Sequence, residues 1–310
     1  MLARFRPLFI SLCAVTLLAP ATVFAAKAKT VTADAFPPAV LWKVEKPGVK
    51  PSYLFGTAHV TDPAVTALSE PVQTVFDNAD HIATEIRIDF NMMMTMAKNM
   101  LMPEGQNLAD LIGAEHYQKL LPELDARGYP ETAAKRLKPW AASMQLMVPK
   151  HQGGELPLDM LLAKMSIENE KDYVGLETIE EQIAVFADIP QDKQIVLLNS
   201  LIDGQDKLEG YYKKLIALYI KRDLDGMMQF ADQQEEVDFP KADRAYFDNW
   251  SKTTLIGNRN VRMAERMQTL LSQGNSFIAV GAAHLPGKNG LVALLKAQGY
   301  TLTPIYDHKK

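Results

Sequence analysis

The sequence predicts an α/β fold: a central mixed sheet formed by the N- and C-terminal parts of the chain, with a large helical insertion at about residues 90–250. Three observations predict it. Apolar runs of strand length, bounded by Gly, Pro and Asp, cluster towards the two ends. The middle follows a helical period and is rich in Met, Leu and Ala. Two of the strand-like runs exit into matching tetrads, Gly56-Thr57-Ala58-His59 and Gly281-Ala282-Ala283-His284.

In chain order, residues 1–25 read as a secretory leader. Arg4 and Arg6 precede an apolar stretch, and Val23-Phe24-Ala25 suits cleavage after Ala25. The stretch is interrupted by Pro20 and is short for a membrane span. The expectation is a periplasmic or secreted protein with no stable membrane insertion after signal cleavage; the alternative is a leader retained as an anchor. Cys13 is the one cysteine and leaves with the leader. Residues 26–310 are then expected to form a single α/β domain held by its core without disulfides. Asp and Glu total 37 against 33 Lys and Arg, with no basic run, which argues against a nucleic-acid partner.

Residues 39–44 and 52–55 read as strands joined by a turn containing Pro47-Gly48. Asp62-Pro63 opens a loop into a helix expected to run to about Asn78, and residues 81–86 read as a further strand. Gly105, Gly113, Gly128-Tyr129-Pro130 and Pro139 divide residues 90–147 into four or five helices. A short strand over 172–176 precedes Thr178-Ile179-Glu180-Glu181, which has the capping-box form. Helices continue to about Ser272. The chain then closes with a strand over 277–280, a helix over 291–298 capped by Gly299, and a strand over 300–305.

The strand exits carry the chemistry. His59, Glu85, Glu177 and His284 fall at carboxyl ends of strands, the edge where open α/β sheets hold ligands. Two neutral imidazoles and a carboxylate make a three-ligand set with an open position for water. His59 and His284 are thus candidate metal ligands, and Glu85 a ligand or general base. Zn, Mn or Co suits such donors. The bland alternatives are loop histidines and an exposed edge carboxylate. Glu177 is the weaker candidate, since it directly precedes the capping box. His81, His116, His151 and His308 read as surface or loop residues, with His151 of interest beside Gly153-Gly154.

Arg259 and Asn260 interrupt the apolar stripe of a helix over about 251–271, so they face inward and need partners. They either brace strand ends, or orient Glu85 and bind a substrate carboxylate. Met92, Met96 and Met100 share a helical face. Thioethers suit Cu(I), but Met is more often an adaptable packing residue, here of the core or a groove wall that accepts apolar side chains. There is no G-x-S-x-G, H-E-x-x-H, P-loop or G-x-G-x-x-G motif.

Taken together, several segments carry a family resemblance: Leu41-Trp42-Lys43-Val44, Tyr53 to Val60, the strand ending in Glu85, Gly175-Leu176-Glu177-Thr178 with Glu181-Gln182, Arg259-Asn260, and Gly281 to Leu285 with Gly287 and Gly290-Leu291. In that order they resemble the TraB/GumN family, which is related to the Tiki proteins. The resemblance implies a secreted or membrane-associated metal-dependent hydrolase, with peptidase activity in the Tiki branch. It also implies a site built on His59, His284 and Glu85, and a peptide or other small carbonyl substrate. Tiki proteins carry a C-terminal membrane anchor without a counterpart here, so a membrane-bound substrate is not expected. The wider superfamily is similar to erythromycin-esterase-like enzymes and haem-binding lipoproteins. The rival readings are therefore a non-catalytic haem- or metal-binding protein and a peptide-sequestering one.

Overall fold

A computed structural model describes residues 36–150, 156–233 and 237–307. The leader, Cys13, His151 and His308 lie outside them. Six strands form one sheet: β1 (Leu41–Glu45), β2 (Ser52–Thr57), β3 (His81–Ile86), β4 (Asp172–Glu177), β5 (Ser276–Gly281) and β6 (Thr301–Ile305). Their order is β4-β3-β5-β2-β1-β6. The first four neighbours in that order are parallel, while β1 runs antiparallel to both β2 and β6. The sheet is therefore mixed, and both ends of the chain build it.

The central strand comes from the far end of the sequence. The helix Glu70–Asn78 carries the chain from β2 to β3 and leaves one strand position between them, which β5 fills. All six residues of β5 are buried, as expected of a parallel strand covered on both faces. Phe277 meets Phe55 of β2 at 5.6 Å and stands edge-on to Phe76 of the crossover helix at 5.4 Å. That aromatic cluster ties the late strand to the early ones.

Between β3 and β5 the regular elements of the described residues are helices apart from β4. Residues 90–147 make five helices, and Gly105, Gly113 and Gly128 adopt positive φ at the breaks. The expected capping box is formed: Thr178 accepts from the Glu181 amide at 3.3 Å, and Glu181 accepts from the Thr178 amide at 2.9 Å.

The helix expected to end at about Asn78 is Glu70–Asn78, with Pro71 in its first turn, and a short helix, Pro63–Thr66, lies in the segment before it. Two expectations need correction. The helix expected over 251–271 begins as a π-helix, Trp250–Gly257, before the α-helix Asn258–Gln273. In the helix Phe90–Met100, Met96 and Met100 are buried and Met92 packs against the core. Their shared face is core, not groove; Phe90 and Met94 are the exposed large hydrophobic residues of that helix. Among the described residues no helix is long and apolar enough to cross a membrane.

Candidate functional site

Sheet order places the polar strand ends in a row. Glu177 ends β4, Glu85 lies near the end of β3, His284 ends a short turn after β5, and His59 follows β2 by two residues. The two Gly-led tetrads are neighbours, because β2 and β5 pair with Thr57 opposite Gly281. Gly56 has a steric reason to be glycine. A Cβ on Gly56 would stand 3.1 Å from the Ala282 Cα and from a Leu285 methyl, so only glycine lets the turns touch without displacement.

His284 is completely buried. Its Nδ1 lies 2.5 Å from Asn260 Oδ1, and Asn260 Nδ2 donates to the Asn289 carbonyl at 2.8 Å. That second bond fixes which end of the amide faces the ring. Asn260 thus accepts from Nδ1–H, which leaves the lone pair of His284 on Nε2. Nε2 is buried without a hydrogen-bond partner and lies 3.8 Å from Glu85 Oε1, itself an acceptor. Burial, and then the Arg259 charge, lower His284 to about 3, so the ring is neutral at physiological pH.

Glu85 is held from several sides. Oε1 accepts from the Gly281 amide at 2.7 Å, and Oε2 accepts from Arg259 Nη2 at 2.5 Å and from Gln182 at 3.3 Å. Burial would raise its pKa, but the Arg259 guanidinium, the two imidazoles and the Gly281 N–H bring it down to about 2. Arg259 also donates to Glu177 through Nε and Nη2, at 2.9 and 2.7 Å, and through Nη1 to the Leu255 carbonyl at 3.3 Å. At 2 % exposure it has no open face for a substrate carboxylate. Of the roles open to Arg259, the contacts match bracing and orienting Glu85. Glu177 is the hub behind it, also accepting from Arg262 and Gln182.

His59 is reached from the helical region. Its Nδ1 faces Asp159 Oδ2, and Asp159 Oδ1 accepts from the Thr57 hydroxyl at 2.7 Å. Burial would lower this imidazole, but the charge and hydrogen bond of Asp159 outweigh it and raise the pKa. Tyr219, from the helix Gln205–Ile220, donates to the Gly56 carbonyl at 2.8 Å. Sequence reasoning did not single out Asp159 or Tyr219. Asp159 sits in the first turn of the helix Leu158–Glu168, where an acidic residue usually serves the helix dipole. His81 and His116 instead meet the exposed Asp172 and Asp203, at 2.7 and 3.3 Å, away from this edge.

The donor types, imidazole and carboxylate, are ones that suit a divalent metal. Both imidazoles have Nδ1 turned towards an oxygen, the arrangement that orients ligating histidines, and His284 Nε2 is a buried lone pair without a donor. Among the described residues, however, no three His, Cys, Asp or Glu side chains are grouped so as to hold an ion.

The chain matches the TraB/PrgY/gumN family over residues 40–304. Among curated proteins it is 26 % identical to metalloprotease TIKI1 of Xenopus tropicalis, over 84 % of this chain and 60 % of that protein. It is 26 % identical to metalloprotease TIKI2 of Danio rerio with the same coverage, and 24 % identical to human metalloprotease TIKI1, again over 84 % and 60 %. The chain thus spans about 60 % of the length of these curated relatives. No solved structure matches it.

Proposed function

This chain belongs to the TraB/PrgY/gumN family, and from that premise we propose that it is an exported metal-dependent hydrolase acting on a peptide or other small carbonyl substrate. The supporting observation is the buried, partnerless Nε2 of His284 facing Glu85 Oε1 across 3.8 Å. Two acceptors turned on one another in a dry site are unfavourable until a cation or a proton donor lies between them. The relatives' name, metalloprotease, supports the same reading. Export rests on the leader read in residues 1–25.

His59, His284 and Glu85 would hold a divalent ion, with Zn, Mn or Co suited to the donors; when bound it would supply acidity to a water and polarise a carbonyl. The chain supplies orientation and charge. Asn260 keeps the lone pair of His284 on Nε2, and Arg259 fixes the plane of Glu85. A carboxyl at about 2 stays ionised throughout the physiological range but is a feeble proton acceptor. Glu85 therefore serves better as ligand and charge partner than as general base.

The test is peptide turnover. Metal-loaded protein incubated with a mixed peptide pool is expected to generate cleaved masses, lost on chelation and in His284→Ala. Unchanged masses despite peptide binding would overturn the hydrolase reading and favour sequestration.

A further inference from the structure

Among the described residues, Asp159 is a buried carboxylate without a Lys or Arg partner. Every other buried carboxylate of the described residues has one: Arg259 for Glu85, Arg259 and Arg262 for Glu177, Lys193 for Asp243, and Arg222 for Asp307. Asp159, at 3 % exposure, has the Thr57 hydroxyl and the Nδ1 edge of His59 as its hydrogen-bond partners among the described residues. An uncompensated buried charge is costly, so the balancing positive charge belongs on or beyond that imidazole.

We propose that Asp159 is a positioning residue: it holds His59 as the Nδ1–H tautomer, with Nε2 turned to the site, and its charge strengthens the hold of that nitrogen on a cation. The Thr57 hydroxyl fixes the rotation of the carboxylate, since Oδ1 is committed to it and Oδ2 is left for the ring. The helix Leu158–Glu168 thereby becomes part of the strand-edge site rather than a cover for it. The cation arm of the proposal rests on the metal-dependent reading above; the tautomer arm does not.

The experiment uses full-length protein, metal-free and labelled with 15N, at a pH above the His59 titration, where the ring is neutral. The ring nitrogens of His59 are followed by NMR, and zinc binding by calorimetry, in wild type, Asp159→Asn and Thr57→Val. Wild type is expected to show a protonated Nδ1 and an unprotonated Nε2. Asp159→Asn is expected to shift His59 towards the Nε2–H form and weaken zinc binding about 10–100-fold, the usual effect of losing such a partner. Thr57→Val should move both readouts the same way by less, and it decides the question if Asp159→Asn does not fold. An unchanged tautomer with unchanged zinc affinity overturns the proposal, as does a neutral wild-type His59 that carries its proton on Nε2. Wild type that binds no zinc overturns the metal-dependent reading and the cation arm, while the NMR comparison still decides the tautomer arm.

Discussion

Arg259 is the residue on which the buried charges balance, since both Glu85 and Glu177 depend on it. Replacing it by Leu leaves two buried carboxylates short of a partner, and removing one member of such a buried pair costs about 3–5 kcal/mol. Urea unfolding of Arg259→Leu should show a loss of that size; a change under about 1 kcal/mol would mean the pairs are solvated. The titrations give a second prediction. His284 is neutral when folded, with a pKa near 3, against 6.5 ordinarily, so folded protein resists protonation that the unfolded chain accepts. Its contribution is present above pH 6.5 and is lost as pH falls towards 3. Glu85, lowered from 4.5 to about 2, loses its contribution on the way down to 2. His59 is raised and works the opposite way, its contribution being lost as pH rises through its folded value. Thermal unfolding of wild type should therefore weaken steeply below pH 6.5, and His284→Ala should flatten the fall between about 6 and 3.

At the scale of elements, the contact between the two Gly-led turns sets the site. Gly56→Ala drives a methyl into Ala282 and Leu285, and overpacking of this kind costs about 1–3 kcal/mol. Calorimetry should show the lowered melting temperature, and metal affinity should fall with it, since both histidine turns move. Thr178→Ala removes one arm of the capping box and should cost about 1 kcal/mol. These elements were largely legible in the sequence. The tetrads, the 81–86 strand and the capping box each declare themselves by local pattern. The inward pair Arg259-Asn260 does too, because polar residues on an apolar stripe must be satisfied. Asp159 was not legible, since an acid in a first helical turn looks the same whether it serves the dipole or a histidine. The π-helix Trp250–Gly257 also leaves no period that distinguishes it from the α-helix it precedes.

For the whole molecule, sheet order was the part that local patterns do not encode. The sequence shows strands near both ends but not that β5 slides between β2 and β3, which depends on long-range packing of Phe277 against Phe55 and Phe76. Truncation after Gln273 should consequently abolish cooperative unfolding by circular dichroism, because β2 and β3 would lose their common neighbour; a fragment that melts cooperatively would contradict that dependence. The same topology gathers residues from distant parts of the chain, namely His59, Glu85, Asp159, Arg259 and His284, at one sheet edge. The most direct test of a metal at that edge is elemental analysis of purified full-length protein beside His59→Ala/His284→Ala. Stoichiometric divalent metal in wild type and almost none in the double variant is the expected result; equal metal content in both would contradict it.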